Sequence, residues 1–356
     1  MRRPPRRQGG ALTIHDVARF AGVSPMTVSR VINGERNVRD STREAVNVAI
    51  RELNYAPNPA ARSLAGADLV RIGLLYANPS AAYLSEFLVG GLDECSRGNI
   101  QLVVEKCDED NATDAAIRLA ATGVNGVILP PPLCDDAAVI RALSDAGVSA
   151  VAVANGQPPA EIAAVHIDDF AAAGAMTRHL IGLGHRRIGF IKGHPNQTAT
   201  RRRLEGHLSA LAEAGVAADE SLIVDGRFTY RSGFEAAEQL VAIRPAVSAI
   251  FASNDDMAAA SIAVAHRSGL DVPRDLTVVG FDDSALATTV WPELTTIRQP
   301  IADMSRQAVA LLANEIRRRR AGDAPQHLHV LHDFTLVRRQ SDGPPKAQAV
   351  RDLTAS

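Results

Sequence analysis

Beyond Leu69 the chain alternates short apolar runs with helix-patterned stretches, and that rhythm restricts its fold more than any other feature. The runs are Arg71–Tyr76, Leu102–Glu105, Gly126–Leu129, Ala150–Ala154, Val165–Ile167, Ile188–Ile191, Ala249–Ala252 and Thr277–Gly280. Stretches of roughly 12–16 residues with helical periodicity separate most of them. A strand joined to the next strand through a helix returns parallel to itself, so the repeat predicts parallel sheets covered by helices on both faces. Ligands of such sheets bind beyond the carboxyl ends of the strands. That rule points to Asn78, Pro130 to Pro132, Asn155, His194, Asn254 and Asp282, each just after a run. Plainer readings stand beside it: Asn254 and Asp255 also suit a helix cap, and Asp282 a structural turn.

The first 66 residues differ in character. They hold eleven arginines against five acids, a net charge of +6, which leaves −8 on the remainder. Such a basic head on an acidic body is expected when only the head meets phosphates. Thr13, with Asp16 three residues on, suits a capping box, and Ile14, Val17, Ala18 and Ala21 make one apolar helical face. Gly22 stops that helix. Ser24 caps the next, with Pro25 at its first position, where no hydrogen bond is lost. Val28, Val31 and Ile32 point inward, leaving Pro25, Met26, Ser29 and Arg30 outward. A third helix, Ser41 to Leu53, is expected to bury Ala45, Val48, Ala49 and Leu53. A helix, a tight turn and a second capped helix suit a DNA major groove. The alternative is an ordinary three-helix unit with Arg30 merely solvated.

Residues 58–66 are alanine-rich and preceded by proline; nine residues cannot sustain an isolated helix in water. By composition they read as a linker. A disordered basic arm is expected over residues 1–12, with no apolar segment of a secretory signal, and a disordered tail over 341–356. No run of 18 apolar residues exists, so no transmembrane span is expected. Cys95, Cys107 and Cys134 lack metal-ligand spacing and read as free buried thiols of a cytoplasmic protein.

The motif T-x-x-D-V-A-x-x-A-G-V-S-x-x-T-V-S-R-V-x-N from Thr13, then E-L-N-Y-x-P-N and A-R-S-L-A-G, resembles the LacI/GalR family of bacterial transcription regulators. The likeness continues to about Arg339 through G-H-R-R-I-G-F-I, T-R-R-R-L-E-G, S-N-D-D-M-A, V-V-G-F-D-D and L-T-T-I-R-Q-P. It implies a helix-turn-helix head at 13–57, a hinge helix at 58–66 and an α/β body at 70–340. The body would be two parallel-sheet subdomains like type I periplasmic binding proteins, one about 70–164 plus 298–325, the other about 165–297 plus 326–340, with three crossovers. It places Pro25, Met26 and Arg30 at base-reading positions, with Arg30 able to grip a guanine through two bonds. Ser24, Thr27, Asn33 and Tyr55 would touch phosphates or pack. Arg39 replaces the family's usual serine and could gain a phosphate. Leu64 would wedge a minor-groove base step, one leucine per subunit, which implies a homodimer on a pseudo-palindromic operator centred on CG.

For the body the resemblance implies an effector site of Arg203, Asn254, Asp282 and Gln299, with Phe228 stacking on a sugar ring or serving the core. Asn78 and Asn155 lie beside them by the strand-end rule. Tyr83 faces either the cleft or the dimer seam. Ala154 stands where several sugar-responsive members carry an acid. The implied function is a repressor of carbohydrate-catabolism genes, released from double-stranded DNA by a sugar. A corepressor-dependent, nucleobase-type repressor and a cytoplasmic sugar-binding module or enzyme are the alternatives. No hydrolase, P-loop or zinc-protease motif is present, so no enzymatic activity and no cofactor are expected. His327, His329 and His332 suit a solvated edge strand better than a metal site.

Overall fold

The computed structural model describes residues 12–32, 38–53, 55 and 69–346. The chain divides into two compact units, Met1–Leu69 and Val70–Ser356. The expected hinge helix with Leu64, the basic arm up to residue 11, Asn33 and residues 347–356 lie outside the described residues.

The first unit has three helices, α1 (Ile14–Ala21), α2 (Pro25–Ile32) and α3 (Asp40–Glu52). The Asp16 carboxylate accepts from the Thr13 backbone N–H at 2.9 Å and from its hydroxyl at 2.7 Å. Gly22 ends α1 at φ 69°, the left-handed region where a Cβ is costly. Ser24 Oγ accepts from Thr27 N–H at 3.2 Å, so α2 is capped as its sequence suggests. The core is Val17, Ala18, Val28, Val31, Val46, Ala49 and Tyr55. On α3 the buried stripe is Val46 and Ala49, with Ile50 and Leu53 packed beside them; Ala45 and Val48 face solvent, contrary to expectation. Both stripes have helical spacing, and the one holding the larger branched side chains wins the core.

The second unit has two six-stranded sheets. The first takes β1 (Val70–Tyr76), β2 (Ile100–Lys106), β3 (Gly126–Leu129), β4 (Ser149–Val153), β5 (Ala163–Ile167) and β11 (His329–His332), in the order β11-β5-β4-β3-β1-β2. The second takes β6 (Ile188–Ile191), β7 (Ile223–Val224), β8 (Ala249–Ala252), β9 (Thr277–Asp282), β10 (Thr295–Arg298) and β12 (Thr335–Val337), in the order β12-β10-β9-β8-β6-β7. Every pairing is parallel except β10 with β12. Helices α4 (Ala81–Gly98), α5 (Ala112–Ala121), α6 (Ala137–Asp145) and α11 (Ile301–Ala321) serve the first sheet. Helices α7 (Asp169–Gly182), α8 (Thr198–Glu213), α9 (Tyr230–Ala242) and α10 (Asp255–Arg267) serve the second.

The chain passes between the sheets after Ile167, after Arg298 and after His332. This shifts the expected boundaries. Val165 pairs with Val153 and Val330, so β5 stays with the first sheet, and β11 joins it there as an edge strand instead of belonging to the second subdomain. The segment from Ser341, expected to be a disordered tail, is built into the second sheet as far as Gly343. Ser341 Oγ donates to Val278 O at 2.6 Å, and the Asp342 carboxylate accepts from Thr295 Oγ1 at 2.5 Å and contacts His179 Nε2 at 2.8 Å. The three cysteines are free and buried, as expected.

Candidate ligand cleft and DNA-reading face

The carboxyl ends of both sheets face one narrow cleft with an open volume of about 30 Å³. Its walls include Asn78, Tyr83, Arg203, Phe228, Asn254, Asp282 and Gln299, seven of the eight residues expected there. Asn155 is the exception. It is buried beside the cleft, its amide donating to Cys134 O at 2.9 Å and to Asp135 Oδ1 at 2.8 Å, so it braces the wall. Ser80, Pro131, Ala154, Gln197 and Ala199 complete the lining. Ser80 and Gln197 precede α4 and α8, so the signal for both was a polar residue at a helix start beyond a strand.

Arg203 is buried and held rigidly. Its Nε donates to Asp169 Oδ1 at 2.7 Å, its Nη1 donates to Ser253 O at 2.6 Å, and its guanidinium carbon lies 3.6 Å from the centre of the Phe281 ring. A guanidinium over an aromatic face gains cation–π energy while staying planar toward a ligand. Burial pushes the Asp169 carboxyl up, against the pull of Arg203.

Asp282 ends β9 at φ 116° and accepts from Gln299 Nε2 at 2.6 Å. Burial pushes its carboxyl up to about 7, with Arg203 and Gln299 pulling it down and Asp256 and Glu86 raising it further. Behind it, the wholly buried Asp255 carboxylate accepts from Ser284 N–H at 2.7 Å and from Thr296 Oγ1 at 2.7 Å, which fixes the Asp282 loop. Burial pushes Asp255 well up, and the neighbouring Asp282 adds to it. Asn254 fills both roles considered for it: its Oδ1 caps α10 by accepting from Met257 N–H at 3.0 Å, and it lines the cleft.

Phe228 sits at φ 58° with its ring over Gly193, where a Cβ would stand 1.9 Å from the ring; it lines the cleft and packs on the core as well. Tyr83 lines the cleft, and its buried hydroxyl has no hydrogen-bond partner among the described residues. Gln299 Oε1 is in the same state. Buried polar atoms are nearly always satisfied, so these two leave hydrogen-bonding capacity open in the cleft.

Contacts also cross between the subdomains. Ser80 Oγ donates to Asp256 Oδ2 at 2.7 Å, and His194 Nε2 lies 3.6 Å from Glu109 Oε1. Near the crossovers, Asp135 accepts from Thr198 Oγ1 at 2.7 Å and Gln157 Oε1 from Arg201 Nη2 at 2.7 Å. Among the described residues no group of three or more His, Cys, Asp or Glu is placed to hold a metal ion, and His329 Nε2 sits 3.2 Å from the carbonyls of Pro159 and Ile162.

In the first unit, Met26 (65% exposed) and Arg30 lie on the outer face of α2, with Pro25, Thr27 and Ser29 partly exposed beside them. Arg39 precedes α3 without a side-chain cap bond and is exposed. Tyr55 packs: it is buried in the core of the unit.

Residues 13–58 match the family model for bacterial regulatory proteins of the lacI family, and residues 177–341 match a periplasmic binding protein-like domain. The chain is 36% identical over 343 residues to the HTH-type transcriptional repressor PurR of Pectobacterium carotovorum subsp. carotovorum, covering 93% of this chain and 98% of that one. A solved complex of the transcriptional regulator CelR with cellobiose superposes with a TM-score of 0.71 at 33% identity, covering 93% of this chain and 99% of that one. The lac repressor dimer bound to operator and the anti-inducer ONPF superposes with a TM-score of 0.80 at 28% identity, covering 94% and 100%. Similar to such regulators from the reading head through nearly all of the body, this chain belongs to the lacI family of bacterial regulatory proteins and is a DNA-binding transcriptional repressor.

Proposed function

We propose that this repressor grips a pseudo-palindromic operator as a homodimer and releases it when an uncharged sugar fills the cleft, in control of carbohydrate-catabolism genes. The observation that carries the sugar is that unsatisfied Tyr83 Oη and Gln299 Oε1 share one cleft with the Arg203 and Asp282 side chains and the Phe228 ring. Guanidinium and carboxylate each bind two neighbouring hydroxyls through charge-assisted bonds, while an aromatic face covers the apolar side of a pyranose. Arg203, the only buried Lys or Arg among the described residues, is already paired with Asp169, which disfavours phosphorylated sugars. The cellobiose bound by the relative CelR is of the same neutral class.

Pro25, Met26 and Arg30 are the base-reading residues of this proposal, and Arg39 is a phosphate contact. The homodimer rests on an apolar face: Val89 and Leu92 on α4, Val104 on edge strand β2 and Ile117 on α5 are all more than half exposed. Exposed large apolar side chains on neighbouring elements are what an interface of this kind would cover. No helix among the described residues is long and apolar enough to cross a membrane. The similarity to PurR supports a second reading, in which a flat nucleobase lies against Phe228 and acts as corepressor.

The test is DNA binding by the purified protein to fragments upstream of its own gene, with and without neutral monosaccharides, cellobiose, sugar phosphates and purine bases. Release by one neutral sugar is expected. Tightening by a purine base would replace the sugar with the corepressor reading, and release by a sugar phosphate alone would overturn the neutral class.

A further inference from the structure

The last helix of the first subdomain ends in four consecutive arginines, Arg317 to Arg320. Cations suit a helix C-terminus, which accounts for one or two of them. Four in a row, at 100° per residue, instead surround the helix end on all sides. They also run against the charge of the chain beyond residue 66, which is −8. Arg317 Nη1 donates to Asn314 Oδ1 at 3.2 Å, Arg318 Nη2 to Ala324 O at 3.2 Å and Arg319 Nη1 to Gly147 O at 2.7 Å. All three acceptors are neutral, and among the described residues no carboxylate pairs with these three arginines.

The position of the run is the second observation. Helix α11 starts at the cleft, just after Gln299, and spans about 32 Å toward the amino ends of the strands. There Arg320 Nη2 donates to Asn125 Oδ1 at 3.2 Å, and the same oxygen accepts from Arg71 N–H at 2.9 Å. Arg71 is the second residue of β1, so the run stands where the chain enters this unit from the DNA-reading unit. Glu161 and Glu315 line the same pocket as Arg319, and Glu315 accepts from the Gln326 N–H at 3.1 Å.

We infer that the arginine run at the end of α11 is a second DNA contact, taking backbone phosphates beside the site that the helical head reads. It rests on the DNA binding of the family and adds a sequence-independent contribution. A phosphate contact releases counterions, so each one steepens the fall of log K with log salt by about 0.9.

The test uses the full chain and a random-sequence DNA duplex, with binding measured across a salt series. Arg317→Gln/Arg318→Gln is expected to make the slope shallower by about 1 to 2 and to weaken binding about tenfold at low salt. Arg317→Lys/Arg318→Lys keeps the charge and should keep the slope. The control Arg231→Gln/Arg274→Gln removes two charges from exposed positions of the other subdomain, where Arg231 pairs with Glu235 and Arg274 with Asp271, and should also keep the slope. If the double glutamine variant loses its cooperative melting, Arg317→Gln alone, which bonds only within its own helix, should lower the slope by about 1. An unchanged slope in the glutamine variants, or an equal change in the control, overturns the contact. A wild-type chain that binds no DNA overturns the family reading first and this contact with it.

Discussion

The cleft carries a proton whose position decides ligand affinity. Asp282 is buried, and its carboxyl is pushed up to about 7, so near neutral pH the empty cleft holds it in both states. Sugar hydroxyls donate to the ionised form and gain little from the protonated one. If only the ionised form accepts them, the apparent association constant follows its population, about one tenth at pH 6 and nine tenths at pH 8. Affinity for whichever neutral sugar the panel identifies should therefore rise about tenfold across that interval, or about 1.4 kcal/mol.

Titration calorimetry is the assay, run at both pH values in two buffers of different ionisation enthalpy. Close to one proton should be released per site at pH 6 and almost none at pH 8. Asp282→Asn removes the titrating group and should give weak, pH-independent binding. The stability of the empty protein has the matching sign. A carboxyl whose folded value lies above its unfolded value of 3.8 stabilises the fold most at low pH and loses that contribution as pH rises through about 7. The ligand-induced shift in melting temperature should accordingly be larger at pH 8 than at pH 6. Affinity that stays flat or falls with rising pH, or a pH dependence that survives in Asp282→Asn, would refute the assignment of the proton to Asp282.

Three further outcomes are expected. Arg203→Met strands the buried Asp169 carboxylate and should cost about 3–5 kcal/mol in urea unfolding, and the double variant Arg203→Met/Asp169→Leu should recover more than half of it. Equal losses in single and double variants would show that the pair is not coupled. His207, buried against Phe190 at 4.7 Å between ring centres, is lowered to about 4 by burial, so stability should fall as pH drops from about 6.5 toward 4, and His207→Phe should flatten that limb. Arg30→Ala should weaken operator binding by about 1–3 kcal/mol with relaxed preference at one base pair per half-site; an unchanged preference would make Arg30 a phosphate contact.

The strands most legible in the sequence are the central, wholly buried ones such as Gly126–Leu129 and Ala249–Ala252, whose unbroken apolar runs sit between helices. The short strand Ile223–Val224 and the edge strands His329–His332 and Thr335–Val337 bury too little to leave such a run. Sheet membership was less visible. Val165 and Ile167 look the same in either sheet, and only their pairing with Val153 and the late strand at His332 settles it. At the cleft, the strand-end rule found Asn78, Asn254 and Asp282, while Arg203, Phe228 and Gln299 came through the family motif. Asn155 was misplaced because its strand-end position cannot tell a side chain aimed into the cleft from one turned back on Cys134 and Asp135.

The three crossovers explain how a small ligand gains leverage over so large a body. All three lie on the carboxyl-end side of the sheets, the side on which the cleft opens. The empty cleft is already bridged by the Ser80 to Asp256 hydrogen bond, with His194 standing 3.6 Å from Glu109. An individual bond of this kind contributes about 1 kcal/mol net, so closure without ligand is shallow. A sugar that bonds Tyr83 and Asn78 from one subdomain and Asp282, Asn254 and Arg203 from the other deepens it only by the difference in its affinity for the two arrangements. Coupling energies of about 1–3 kcal/mol follow from a few such bonds. On this argument the cross-cleft acids Asp256 and Glu109 would set part of the balance between the two arrangements.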